Sequence, residues 1–240
     1  MDLSYAQNLE DYYLSIAFAG QATGFYIDVG AGHPVADNVS CWFYLQGWCG
    51  IAVEPQPELA ALYTQVRPRD TVAPIVLGRV NGLADFFHVE RLHGFSTTIA
   101  THAEKARDFG VGHRVVKTPM LTLAALCARH NVNVIDFLKI DVEGAEYQVL
   151  QGGRGTLTRE KRPVWLLEIC LNEFHPGGTN PDFSEIFNLF WSNDYLCYTA
   201  TEPPRLVEPY DIADWLRNGV SKYATFNYVF LTRAMALAVF

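Results

Sequence analysis

The 240-residue sequence is short of basic residues, of paired cysteines and of long apolar runs. Lys and Arg number 18 against 26 Asp and Glu, a formal net charge of −8. A phosphate backbone calls for clustered cations, so nucleic acid is excluded as the main partner. The five cysteines stand at 41, 49, 127, 170 and 197, none within CxxC distance of another. Zinc ligands come in close pairs, and disulfide scaffolds serve chains too small to build a core. Scattered reduced thiols and a cytoplasmic location are therefore expected. The opening residues lack the basic region of a signal peptide. The apolar stretch from Asn227 is interrupted by Arg233 and is shorter than the roughly 18 residues of a membrane span. It reads as a buried final strand. Repeats, linkers and low-complexity runs are also missing.

What is present is ample apolar material: half the residues are hydrophobic and 13% aromatic, enough for a core at this length. Leu9, Tyr12, Tyr13 and Ile16 keep helical spacing, which predicts a helix over 4–18. Strands are predicted at 25–29, 49–54, 71–77, 84–89, 134–141, 164–169, 195–200 and 228–232, and helices at 36–47, 58–66, 121–130, 144–152 and 182–193. The segment 91–118 shows no clear period beyond a loop at 93–98. Strands alternate with helices from residue 25 to about 193, which favours a mostly parallel sheet covered on both faces. One domain over 1–240 is expected: an N-terminal helix in 1–20, a cofactor-binding core in 25–170 and an acceptor-shaping segment in 171–240.

Phe25-Tyr26-Ile27-Asp28-Val29-Gly30-Ala31-Gly32 runs an apolar strand into Asp-x-Gly-x-Gly. Gly30 and Gly32 allow a sharp turn and a close backbone approach to a ligand. The next strand ends in Glu54, an acid placed to accept hydrogen bonds from ribose hydroxyls. A dinucleotide site would need a third glycine where Val35 stands. S-adenosylmethionine, a nucleoside cofactor without a pyrophosphate, fits better, with Asp28 near its ammonium group. An NAD-linked oxidoreductase and a non-catalytic binding protein on the same sheet are the alternatives.

Downstream, Leu138-Lys139-Ile140-Asp141-Val142-Glu143-Gly144-Ala145-Glu146 crowds three acids at the mouth of a buried strand. Uncompensated carboxylates are costly to bury, so an active-site mouth suits Asp141 and Glu143. Glu146 reads as an acid favouring the first turn of the next helix. This stretch, with Tyr26 to Pro34, Val53-Glu54-Pro55 and Ser4 to Asp11, resembles the FkbM family of S-adenosylmethionine-dependent methyltransferases over residues 4–170. The resemblance implies a Rossmann-like class I α/β fold with a seven-stranded, mostly parallel sheet. It also implies methyl transfer, usually to a hydroxyl of a sugar or secondary metabolite. By motif match, Asp28, Gly30 and Gly32 form its cofactor loop and Glu54 its ribose acid, with Asp141 and Glu143 in the cofactor-binding set. Two departures stand out: Gly30-Ala31-Gly32-His33-Pro34 replaces Gly-Ala-Asn-x-Gly, and Thr122-Leu123-Ala124 replaces Thr-Leu-Asp.

Methyl transfer is an in-line displacement, and the protein positions the acceptor and removes its proton. His175, in a loop, is the first candidate for the base, since an imidazole titrates near neutrality. Asp141 and Glu168, at strand ends, are the others, and Mg²⁺ would suit the same pair by its preference for oxygen ligands. The acceptor is expected to be a small or glycosidic hydroxyl compound. Trp42, Phe43, Tyr44 and Trp48 read as core. Trp191, Tyr195, Tyr198, Trp215 and Tyr223 are candidates for an acceptor pocket.

Overall fold

A computed structural model describes residues 3–173, 175 and 178–239. In chain order the elements are α1 (Glu10–Ile16), β1 (Phe25–Val29), α2 (Val39–Leu45), β2 (Cys49–Val53), α3 (Pro57–Val66), β3 (Thr71–Ala73), β4 (Val76–Leu77), β5 (Gly82–His88), α4 (Ala100–Glu104), β6 (Arg114–Leu121), α5 (Leu123–Arg129) and β7 (Phe137–Ile140). Then follow α6 (Glu146–Gln151), β8 (Val164–Glu168), α7 (Phe183–Trp191), β9 (Tyr195–Thr199), β10 (Leu206–Val207), α8 (Pro209–Asn218), β11 (Asn227–Thr232) and α9 (Arg233–Val239).

The main sheet has the order β10-β9-β11-β8-β7-β1-β2-β3. The five strands from β8 to β3 pair in parallel, and β11 enters antiparallel between β8 and β9. Eight strands stand where seven were expected, because the two-residue β10 pairs with the edge of β9. Side chains alternate across the sheet with the period of two that strands impose. Tyr26, Phe137, Val164 and Leu166 pack on one face with α1, α2 and α9 residues Leu14, Phe43 and Ala236. Ile27, Leu138, Trp165 and Leu167 pack on the other with α5–α8 residues such as Leu126, Val149, Phe187 and Trp215. Helices therefore cover both faces. Trp48 and Phe43 lie in the core, as their clustering suggested.

The segment 71–77 divides between two sheets: β3 edges the main one, whereas β4 joins a small sheet of order β4-β6-β5. That sheet carries the 93–98 turn, tied back by paired backbone hydrogen bonds between Phe87 and Thr97. The expected helix over 4–18 begins only at Glu10, and the residues before it form a strap. The final strand stops at Thr232, and α9 follows it. Among the described residues no helix is long and apolar enough to cross a membrane.

Candidate functional site

The parallel strands end side by side in a chain-order jump: β2, β1, β7, β8. Ligands collect beyond such ends at a topological switch. Here a cavity of about 580 Å³ opens, a size suited to a small organic ligand. Its wall includes Gly30 and Gly32 after β1, Glu54 after β2, Lys139 and Asp141 at β7, Glu143 beyond it and Glu168 closing β8. At about 4.8 Å per strand, Glu54 and Glu168 mark ends about 14 Å apart.

The β1 turn is built for close approach. Gly30 has φ 72°, and a Cβ there would lie 1.8 Å from the Asp141 carbonyl oxygen. Only glycine lets β1 and β7 converge at this point. Behind the turn, Arg67 is 1% exposed. It donates to Asp70 at 2.8 Å, Asn38 at 2.9 Å, Ser40 at 2.9 Å, the Pro34 carbonyl at 3.2 Å and Tyr26 Oη at 2.6 Å. Asn38 Nδ2 in turn donates to the Ala31 carbonyl at 2.8 Å. One fork-shaped cation thus fixes the turn from beneath.

Asp28 is fully buried and does not line the cavity. Its Oδ2 accepts from Ser40 Oγ at 2.6 Å, while Oδ1 lies 3.6 Å from Lys139 Nζ. Asp28 and Lys139 are register partners across β1 and β7, which explains their meeting. Lys139 also donates to the Gly30 carbonyl at 2.7 Å and pairs with Asp141 at 3.1 Å. Burial would push its pKa down, but the charges of Asp141 and Asp28 outweigh that and hold it protonated, above its usual range.

Glu54 is 2% exposed; its two oxygens accept backbone N–H bonds from Gly32 at 2.8 Å and Gln56 at 2.7 Å. Burial raises its pKa to about 7 against those hydrogen bonds. Each oxygen retains a lone pair for a ligand hydroxyl. Gln56 Oε1 meets His93 Nδ1 at 2.7 Å, pinning the turn of the small sheet over this end.

At the other end, Asp141, Glu143 and Glu168 bring carboxylate oxygens within 4.8 Å of one another, a set that can hold a divalent cation. Glu143 adopts φ 56° in a loop braced twice. Glu146 Oε1 accepts from Val142 N and Gly144 N at 3.1 Å, and Thr97 Oγ1 donates to the Glu143 carbonyl at 2.8 Å. Burial first, then the Asp141 charge, pushes both Glu143 and Glu168 upward, Glu168 to about 8. Glu146 therefore shapes the loop from its helix-turn position.

His175 lies outside the main cavity. Its Nδ1 is 3.2 Å from Nε2 of His102, and both rings line a separate void of about 10 Å³ behind Glu143, Glu168 and Cys170. Burial lowers the pKa of both, that of His102 to about 4. None of Trp191, Tyr195, Tyr198, Trp215 and Tyr223 lines the cleft; the C-terminal segment reaches it through Phe226 and Asn227. Sequence reading missed Lys139, His102, Gln56 and Asn227 as site neighbours. Of these only Lys139 stood inside a motif that the sequence singled out, two residues before Asp141, and its partner across the sheet was not apparent there.

These residues fit a nucleoside cofactor without pyrophosphate. The Gly30–Gly32 turn lines the cleft, with open space where a Cβ on Gly32 would stand, and Glu54 offers a buried acceptor pair. The first helix after the turn starts only at Val39, too late to open beneath a pyrophosphate. No curated protein matches the sequence. The family model described as "Methyltransferase FkbM domain" matches residues 28–197, which span every acid of the cleft described above. With 170 of its 240 residues inside that match, the chain belongs to the FkbM methyltransferase family.

Proposed function

We propose that this protein is an S-adenosylmethionine-dependent O-methyltransferase acting on a small or glycosidic hydroxyl compound. The observation that carries the reading is Glu54: a buried carboxylate facing the cleft beside the Gly30–Gly32 turn, with lone pairs left for ribose hydroxyls. Asp141 gives the far end the negative character that a cationic sulfonium calls for, with Glu143 beside it as a further oxygen acceptor. When bound, the cofactor supplies a methyl on a sulfonium sulfur, so the protein must supply position and a proton acceptor.

Lys139 stays protonated and serves as a positioning cation between Asp28 and Asp141. Glu168 is the base that the geometry favours, because it faces the cleft and burial brings its pKa into the neutral range. As the new C–O bond forms and the C–S bond breaks, the acceptor proton passes to Glu168. Asp141 lies beside it, whereas His175 stands behind the acids. The carboxylates of Asp141, Glu143 and Glu168 also favour a second arrangement, in which Mg²⁺ orients the acceptor hydroxyl. The five unpaired cysteines agree with a reducing, cytoplasmic setting.

Titration calorimetry with S-adenosylmethionine, S-adenosylhomocysteine and NAD tests the cofactor reading. Heat is expected with both adenosyl ligands and none with NAD, and Glu54→Ala should weaken the adenosyl ligands about tenfold or more. Absence of adenosyl binding would sink the proposal. Repeating the titrations with Mg²⁺ and with EDTA tests the metal arrangement, which falls if Mg²⁺ gives no heat of its own. On an acceptor found by screening hydroxyl compounds, Glu168→Gln should lower kcat at least a hundredfold; an unchanged kcat removes Glu168 as base.

A further inference from the structure

Residues 3–9 cross the rim of the cleft as a strap held by two buried acids. Asp11, fully buried, accepts from Ser4 Oγ at 2.6 Å, Tyr5 N at 2.7 Å and Tyr12 N at 2.8 Å. Glu10, 3% exposed, accepts from Asn8 N at 2.8 Å, Asn8 Nδ2 at 3.0 Å and Asn227 Nδ2 at 2.9 Å. Asn38 N donates to the Tyr5 carbonyl at 2.8 Å, which ties the strap to the β1 turn as well. Buried carboxylates are costly unless their oxygens are satisfied, and here both are satisfied largely by the strap itself, a segment without helix or strand. Their effect is to hold Gln7 and Asn8 in the cavity wall.

The cleft floor between β1 and β8 is hostile to an anion. Its single Lys or Arg among the described residues is Lys139, already engaged by Gly30, Asp141 and Asp28. The rest of that floor presents Asp141, Glu143 and Glu168. A ligand carboxylate lodged there meets no free Lys or Arg among the described residues, so neutral donors are left to bind it. Asn8 Nδ2 is committed to Glu10. Gln7 brings a second carboxamide to the same wall, and its side chain has no hydrogen bond to a described residue.

We propose that Gln7 donates a hydrogen bond to the carboxylate at the amino-acid end of the bound cofactor, with the strap as the arm that presents it. The inference rests on the S-adenosylmethionine reading above. It is tested by calorimetry on the full chain with two ligands: S-adenosylhomocysteine, and S-adenosyl-3-thiopropylamine, which keeps the amine and lacks only the carboxylate. Gln7→Ala should weaken S-adenosylhomocysteine about tenfold, as loss of a hydrogen bond to a charged group does, and Gln7→Glu should weaken it further. Both variants should bind the amine analogue within about twofold of wild type. Gln7 is exposed, so thermal melts matching wild type are expected and verify folding. Equal weakening of the two ligands, or unchanged S-adenosylhomocysteine affinity, overturns the assignment of Gln7. Wild-type protein that binds neither ligand overturns the cofactor reading itself, and this inference with it.

Discussion

At the scale of single residues, neighbouring glycines of one turn do different work. Gly30 sits where a Cβ would strike the Asp141 carbonyl at 1.8 Å, whereas a Cβ on Gly32 meets nothing within 4 Å. Both have positive φ, 72° and 61°. Gly32→Ala should therefore cost only the left-handed penalty of about 1–2 kcal/mol. Gly30→Ala should add the separation of β1 from β7, a further 1–3 kcal/mol or so, and abolish S-adenosylhomocysteine binding. Urea melts of the two variants measure the difference, and equal costs would refute the close approach. The glycines and strand-end acids were legible because each residue type answers a local demand: a turn, or a charge at a strand mouth. Lys139 and His102 were not. The partner of Lys139 is set by the β1–β7 register, and that of His102 by how α4 docks near the acids, neither of which a linear pattern records.

At the scale of elements, the strands of the main sheet other than the unexpected two-residue β10 lie within a few residues of where alternation and apolar runs put them, since burial of those runs fixes their conformation. The small sheet was harder. β6 contains Pro119 and has no regular alternation of polar and apolar residues, with Arg114 and Lys117 separated by two valines. A proline is tolerated there because β4 covers only Met120 and Leu121, leaving one side of β6 without a neighbouring strand at 119. α8 also escaped the pattern, although Glu208 and Asp211 form a capping box around Pro209. The strap was masked by the helical spacing of Leu9 with Tyr12 and Tyr13. Elements meet most tightly at Arg67, where the end of α3 is locked to β1, α2 and the β1 turn. Arg67→Lys loses the fork and should lower stability by about 2–3 kcal/mol. Arg67→Met leaves the buried Asp70 without its counter-charge, held only by Tyr26 Oη and Gly50 N, and should cost about 3–5 kcal/mol. Calorimetric melts check the order, and a tolerated Arg67→Met would show the network to be dispensable.

At the scale of the whole molecule, the buried acids make stability depend on pH in an uncommon direction. Glu54 and Glu146 are both raised to about 7 by burial, so the folded state holds protons that the unfolded chain has released above about pH 4.5. Each group thus stabilises the fold at low pH, and that contribution is lost as pH rises through about 7. His102, lowered to about 4, acts oppositely between about pH 4 and 6.5, where the unfolded chain takes the extra proton. Its effect ends above 6.5, where the acids alone remain. The ligand-free protein should therefore lose stability between about pH 6.5 and 8, and Glu146→Gln should flatten the loss. Scanning calorimetry across that range is the check; a rise in stability would contradict the raised acids. The hydrogen bond from Asn227 to Glu10 joins residues 217 positions apart. During synthesis the β1 turn, Glu54 and the acid loop all emerge long before Asn227 does. The rim of the cleft therefore stays open until β11, which pairs with both β8 and β9, has been made. A nascent chain already carrying every residue of the cofactor loop would still lack the Asn227 side of the cleft.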